Sequence, residues 1–126
     1  ETRLRMIAEI ETTAKNAAAT LGCNVSMELR PGYPPTLNHE SDALFARDII
    51  TEIFGPDGLE TSMTPVMGAE DFSFMLEKKP GAYIWLGAGL QSENLHSPHF
   101  DFNDDLLPIG ASFWVQLAQS KLAQST

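Results

Sequence analysis

Ala82-Tyr83-Ile84-Trp85-Leu86-Gly87-Ala88-Gly89 is the stretch whose reading decides the fold. Its first five residues are apolar without alternation, the pattern of a strand covered on both faces by helices. Gly87 and Gly89 end the run and release the chain into a long loop. That loop carries Leu95-His96-Ser97-Pro98-His99-Phe100-Asp101-Phe102-Asn103-Asp104, which holds two of the three histidines in the chain. A histidine just past the end of a buried strand is where α/β enzymes place catalytic and metal-binding groups. A zinc site needs three or four protein ligands at about 2.0–2.3 Å. His96, His99 and Asp101 nominally supply three, but Pro98 restricts the loop and no helical face aligns them. On spacing alone, both histidines read as loop residues hydrogen-bonded to Asp101 or Asp104.

Working outward, a final helix opens near Asp104 with Pro108 tolerated in its first turn. Leu106, Ile109, Phe113, Leu117 and Leu122 form its apolar face, and Trp85 and Trp114 read as core aromatics. On the other side, Pro65 to Ala69 is a loop leading into a short helix over 70–77, stopped before Pro80. Gly68-Ala69-Glu70-Asp71-Phe72 brings two acids to the start of that helix, where they suit the positive end of its dipole. The plain reading is helix capping. The functional one has Glu70 orienting a metal-bound histidine from behind, or the loop amides holding a substrate carboxylate.

Leu59 to Thr64 reads as a short strand after the Pro56-Asp57-Gly58 turn. Before it, Asn38 or Ser41 caps a helix with Leu44, Phe45, Ile49, Ile50, Ile53 and Phe54 on its apolar side, ended by Gly55. Pro31-Gly32-Tyr33-Pro34-Pro35-Thr36 is the best linker. Asn24 to Arg30 alternates strictly, with Val25, Met27 and Leu29 on one face, as in a half-exposed strand. A first helix spans 3–21, its stripe running through Ile7, Ile10, Ala14, Ala17, Ala18 and Leu21, and Gly22 supplies a left-handed stop. The second part is thus an α/β layer, and the first is half of a small α+β unit.

Composition narrows the function. A net charge of −9 argues against nucleic acid, whose phosphates demand a basic face. Residues 1–35 carry four acidic and four basic groups, so the entire −9 resides in 36–126, an asymmetry that hints at two units. No apolar run approaches the roughly 20 residues of a membrane helix. The single cysteine, Cys23, excludes an internal disulfide, reads as structural, and fits a reducing, cytoplasmic compartment. The chain starts without Met and straight into a helical pattern, as expected of a piece of a longer polypeptide.

Several separated blocks together resemble one family. Met67-Gly68-Ala69-Glu70-Asp71-Phe72, Pro80-Gly81-Ala82-Tyr83, Leu86-Gly87-Ala88-Gly89, Leu95-His96-Ser97-Pro98 and Phe102-Asn103-Asp104 are similar, in order and spacing, to the C-terminal third of metal-dependent amidohydrolases of the aminoacylase and metallopeptidase type. Hippurate hydrolases, N-acyl-amino-acid amidohydrolases, indole-acetyl-amino-acid hydrolases and N-acetyldiaminopimelate deacetylases belong there. Tyr33-Pro34-Pro35-Thr36, followed by Asn38, resembles the family's return from its lid, with Asn38 at the hinge.

The resemblance implies an α/β zinc-peptidase-like catalytic domain interrupted by a ferredoxin-like lid that often mediates dimers. Residues 1–32 would end the lid, 33–38 form the hinge and 39–126 close the catalytic domain. It further implies two divalent metals, zinc or manganese, which activate a water for attack on the amide of a small N-acyl amino acid. Of the family's ligands only His96 falls in this segment. His99 and Cys23 lie outside the matched positions, and the general-base Glu is expected upstream. Glu70, Asp71 and Gly68 are the residues expected to orient a ligand or organise a substrate loop. The chain alone is expected to be inactive. Two other readings stand beside this one: a non-catalytic module pairing through its first helix and strand, and a dipeptidase of the same fold.

Overall fold

A computed structural model describes residues 1–124 of the chain. It divides into two compact units, Glu1–Gly32 and Tyr33–Thr126. In the first, α1 spans Thr2–Thr20. Ile7, Ala14 and Ala18 are half-buried at the three- and four-residue spacings that define one helix face. Ile10 and Leu21, expected on the same stripe, stay exposed. The helix ends in a Schellman motif: Gly22 adopts φ +66°, its N–H donates to Ala19 O, and the Cys23 N–H donates to Ala18 O at 2.9 Å. Cys23 itself is exposed.

The strand expected over 24–30 is not formed, and the described residues contain no strand at all. A strand exists only through hydrogen bonds to a neighbour, and among the described residues none offers itself. The two-residue period still shows in the side chains. Glu28 and Arg30 meet as an exposed ion pair at 2.9 Å, while Val25, Met27 and Leu29 are all about two-fifths exposed.

The second unit contains α2 (Glu40–Phe54), a single 3-10 turn at Pro56–Gly58, α3 (Phe72–Leu76) and α4 (Leu106–Ala123). His39, and neither Asn38 nor Ser41, is the N-cap of α2, and no side chain caps it. Glu40 and Asp42 occupy its first turn instead, close to the positive end of the helix dipole. Gly55, at φ +75°, stops the helix. The turn that follows folds back so closely that a Cβ at position 58 would lie 2.5 Å from Phe54 Cβ, which restricts the position to glycine. Pro108 sits in the first turn of α4 as expected, where its missing N–H costs nothing.

Ala46, Ile49 and Phe113 form the buried core, with Phe45, Ile50, Ile53, Ile84 and Leu117 packed around them. Helices α2 and α4 therefore close over the 82–86 segment through Ile84. The Lys121 Nζ lies 5.0 Å from the centroid of the Phe45 ring, which itself packs against this core. The two tryptophans depart from expectation: Trp85 and Trp114 are 56% and 62% exposed. Each directly follows an inward residue, Ile84 or Phe113, so the local period turns it away. Leu122 also stays at the surface.

The strand expected over 59–64 is replaced by a local bond. The Glu60 carboxylate accepts both the Ser62 N–H and the Ser62 hydroxyl, taking a backbone donor that a ladder would need.

The small core sets the first expectation. Ile49→Ala and Phe113→Ala should each lower the unfolding free energy by about 2–4 kcal/mol, read as a shifted urea midpoint at constant slope. Leu90→Ser, at a fully exposed position, should stay within about 0.5 kcal/mol of wild type.

Candidate functional site

The 81–83 segment is held by side chains in place of a neighbouring strand. The Asn38 amide binds the Tyr83 backbone twice: Nδ2 donates to Tyr83 O at 2.9 Å, and the Tyr83 N–H donates to Oδ1 at 2.7 Å. One residue on, the His39 N–H donates to Gly81 O at 3.0 Å, and the Gly81 N–H donates to His39 Nδ1 at 3.3 Å. Gly81 and Tyr83 face the same way, two residues apart, as extended backbone requires. The start of α2 is thereby fastened to the segment that ends beneath it.

Tyr83 is gripped at its other end by Glu70. The phenol donates to Glu70 Oε2 at 3.0 Å, while Oε1 accepts the Phe72 N–H at 3.1 Å. The loop closes on itself through Ser73, fully buried, whose hydroxyl donates to Glu70 O at 2.6 Å. The Phe72 ring lies 5.7 Å from Tyr83, and Trp85 meets Tyr83 edge-on at 5.9 Å. The Phe72 N–H and then the Tyr83 hydroxyl hold the Glu70 carboxyl below the usual carboxylate range. Burial, reinforced by Glu70, pushes the Tyr83 phenol up, so the phenol stays a donor.

The histidine loop is tied more lightly. Asn103 Nδ2 donates to Ala88 O at 3.4 Å across its base, and Asn103 Oδ1 accepts the Asp105 N–H at 3.1 Å, just before α4. Between these legs opens a cleft of about 480 Å³, lined by Ala88–Ser92 and Asp101–Asp105. A second groove of about 800 Å³ runs along Ile84, Trp85 and Leu86 to Leu95 and Phe100. His96 lines neither. It is exposed and adopts φ +69°, a left-handed backbone in which histidine is among the better-tolerated non-glycine residues. His99 is also exposed, its N–H donating to Ser97 Oγ. Neither imidazole bonds Asp101 or Asp104 among the described residues, contrary to the spacing argument.

Asn38 and Glu70, picked out separately in the sequence, thus converge on Tyr83. Asp71 is exposed and makes no capping bond at the start of α3, and Gly68 lies in an open loop near Val66 alone. Sequence reasoning passes over Tyr83 as one apolar residue in a run. The available clue is chemical: a half-buried tyrosine needs a partner for its hydroxyl. Metal binding has a direct test in the donor set. Among the described residues no three His, Cys, Asp or Glu side chains are grouped to hold an ion. These residues do not make a metal centre by themselves. No helix among them is long and apolar enough to cross a membrane.

Two measurements probe the network. Asn38→Ala should cost about 1–2 kcal/mol of stability, because it strips the Tyr83 N–H and C=O of their partners. Glu70 has a lower carboxyl pKa folded than unfolded, so its contribution is present above the unfolded value and lost as pH falls through the folded one. The stability gap between wild type and Glu70→Gln should be widest near neutrality and close as pH drops below about 4.3.

The sequence profile of peptidase family M20/M25/M40 matches residues 5–120. An IAA-amino acid hydrolase of Arabidopsis thaliana (ILR1-like 5) is 33% identical over 82% of this chain and 26% of its own length. The hippurate hydrolase of Campylobacter jejuni is 33% identical over 94% of this chain and 30% of its own. An N-acetyldiaminopimelate deacetylase of Streptococcus suis is 33% identical over 79% and 26%. The chain thus spans less than a third of the length of these curated relatives. With the profile covering nearly all of it, the chain belongs to peptidase family M20/M25/M40.

Proposed function

We propose that this chain is the C-terminal part of a metal-dependent amidohydrolase that cleaves the amide bond of N-acyl amino acids such as hippurate. The observation that carries the reading is the family match over 5–120, joined to relatives whose names all describe hydrolysis of an amide. In this reading residues 1–32 end a lid that pairs two copies of the protein, 33–38 are the hinge, and 39–126 complete a cytoplasmic α/β catalytic domain. Segments 24–30, 59–64 and 82–86 become strands once their neighbours are present.

His96 is the one ligand contributed here to a pair of zinc or manganese ions, with the other ligands and the general-base Glu supplied from outside these residues. Its exposure on a loop, unbonded to the nearby carboxylates, leaves its imidazole free for that role. Glu70 organises its own loop, one carboxylate oxygen bonded to Phe72 and the other to Tyr83, and the remaining lone pairs can still accept from a ligand histidine.

The 126-residue chain alone is expected to release no glycine from hippurate in the presence of zinc or manganese. The full-length protein is expected to release it. His96→Ala in the full-length protein should reduce bound metal and lower kcat/KM by about 100-fold or more. Unchanged metal content and activity in that variant would remove His96 from the ligand set.

A further inference from the structure

The segment that Asn38 and His39 hold by one edge is open along the other. The N–H and C=O groups of Ala82, Ile84 and Leu86 find no backbone partner among the described residues, whereas those of Gly81 and Tyr83 are taken. The groove of about 800 Å³ flanks the open edge: Ile84, Trp85 and Leu86 line it, and neither Asn38 nor His39 does. Leu59, Glu60 and Met63 complete it from one stretch of chain, and Glu93, Leu95 and Phe100 from another. Four of its large apolar side chains lie open to solvent, Leu86 at 50%, Met63 at 55%, Trp85 at 56% and Leu95 at 60%. Singly such exposure is ordinary; gathered along one groove beside unpaired backbone, it marks an interaction surface.

Charge says what kind of segment fits. Asp57, Glu60 and Glu93, all exposed, line the groove, and no lysine or arginine does. The Ser62 hydroxyl and N–H hold the Glu60 carboxyl below the usual carboxylate range, so this acid stays charged near neutrality. A second copy of the chain would bring the same three acids against these and be repelled. We propose that the groove receives an extended segment from the part of the polypeptide outside these 126 residues, apolar at alternate positions and carrying lysine or arginine, which pairs as a β-strand with the open edge of Ala82–Leu86. This rests on the reading of the chain as one part of a longer amidohydrolase, since it spans less than a third of its relatives' length. Backbone hydrogen bonds supply the affinity of such strand addition, the apolar side chains set its register, and the basic groups meet the three carboxylates.

Met63 allows a cross-linking test that leaves the groove intact. Full-length protein grown with photo-methionine is irradiated, and the partner of position 63 is located by mass spectrometry. The expected partner is a segment outside residues 1–126 with alternating apolar positions and at least one lysine or arginine. In the same protein the amides of Ala82, Ile84 and Leu86 should exchange about 100-fold or more slowly than in the 126-residue chain alone. Glu93→Lys should reduce that protection about 3–10-fold, and Glu93→Asp should keep it. A cross-link only to residues 1–126 or to a second copy, a partner segment without a basic residue, or unprotected amides at 82, 84 and 86 overturns the proposal. So does protection that Glu93→Lys leaves unchanged. Whether the full-length protein hydrolyses hippurate decides the amidohydrolase reading separately, because cross-link and exchange are read by mass and not by activity.

Discussion

The double hydrogen bond between the Asn38 side chain and the Tyr83 backbone is the contact on which the second unit is built. A primary amide presents a donor and an acceptor in the same spacing as a peptide group, so one asparagine does for Tyr83 what a neighbouring strand would do. His39 extends the pairing to Gly81 with its own backbone and ring. Four hydrogen bonds then join the entrance of α2 to Gly81 and Tyr83, and so to the 82–86 segment. Ile84 comes under α2 and α4 because that segment is held there, and the core of Ala46, Ile49 and Phe113 closes around it.

Grip falls off along the chain from this point. Position 83 is fastened at its N–H, its C=O and its hydroxyl, whereas the base of the histidine loop is closed by one bond at 3.4 Å. Loops with few buried contacts and exposed backbone sit at the low end of local stability. His96 thus belongs to an adaptable part of the molecule, with its left-handed backbone as the main local constraint. Glu70 lies at the opposite extreme, every one of its carboxylate and carbonyl oxygens engaged.

The helices are legible in the sequence because their causes are local. Apolar spacing, Gly22, Gly55 and Pro108 locate α1, α2 and α4 to within a few residues. The caps are less legible: Asn38 has the chemistry of an N-cap, yet a better-placed backbone 45 residues away claims its amide. Strands are read from alternation, which assigns faces and says nothing about partners, and 24–30 and 59–64 show how an unpaired segment spends its polar groups locally or on solvent. Trp85 and Trp114 mislead because large aromatic area is assumed to be buried, while their neighbours Ile84 and Phe113 already occupy the inward positions. Asn38 and Glu70 stand out as residues; that they share Tyr83 is long-range geometry, which no local pattern encodes.

The pairing at positions 81 and 83 also has a direction. In extended backbone the N–H and C=O of one residue point to the same edge, and those of the next residue to the other. With Gly81 and Tyr83 both committed to residues 38 and 39, that edge is shut against any further strand. The groups of Ala82 and Ile84 point the other way, so a sheet that incorporates this segment can grow from one side only. A single asparagine and the histidine beside it thereby close one edge of this extended segment at positions 81 and 83, and guard it there against the indiscriminate pairing to which open edges are prone.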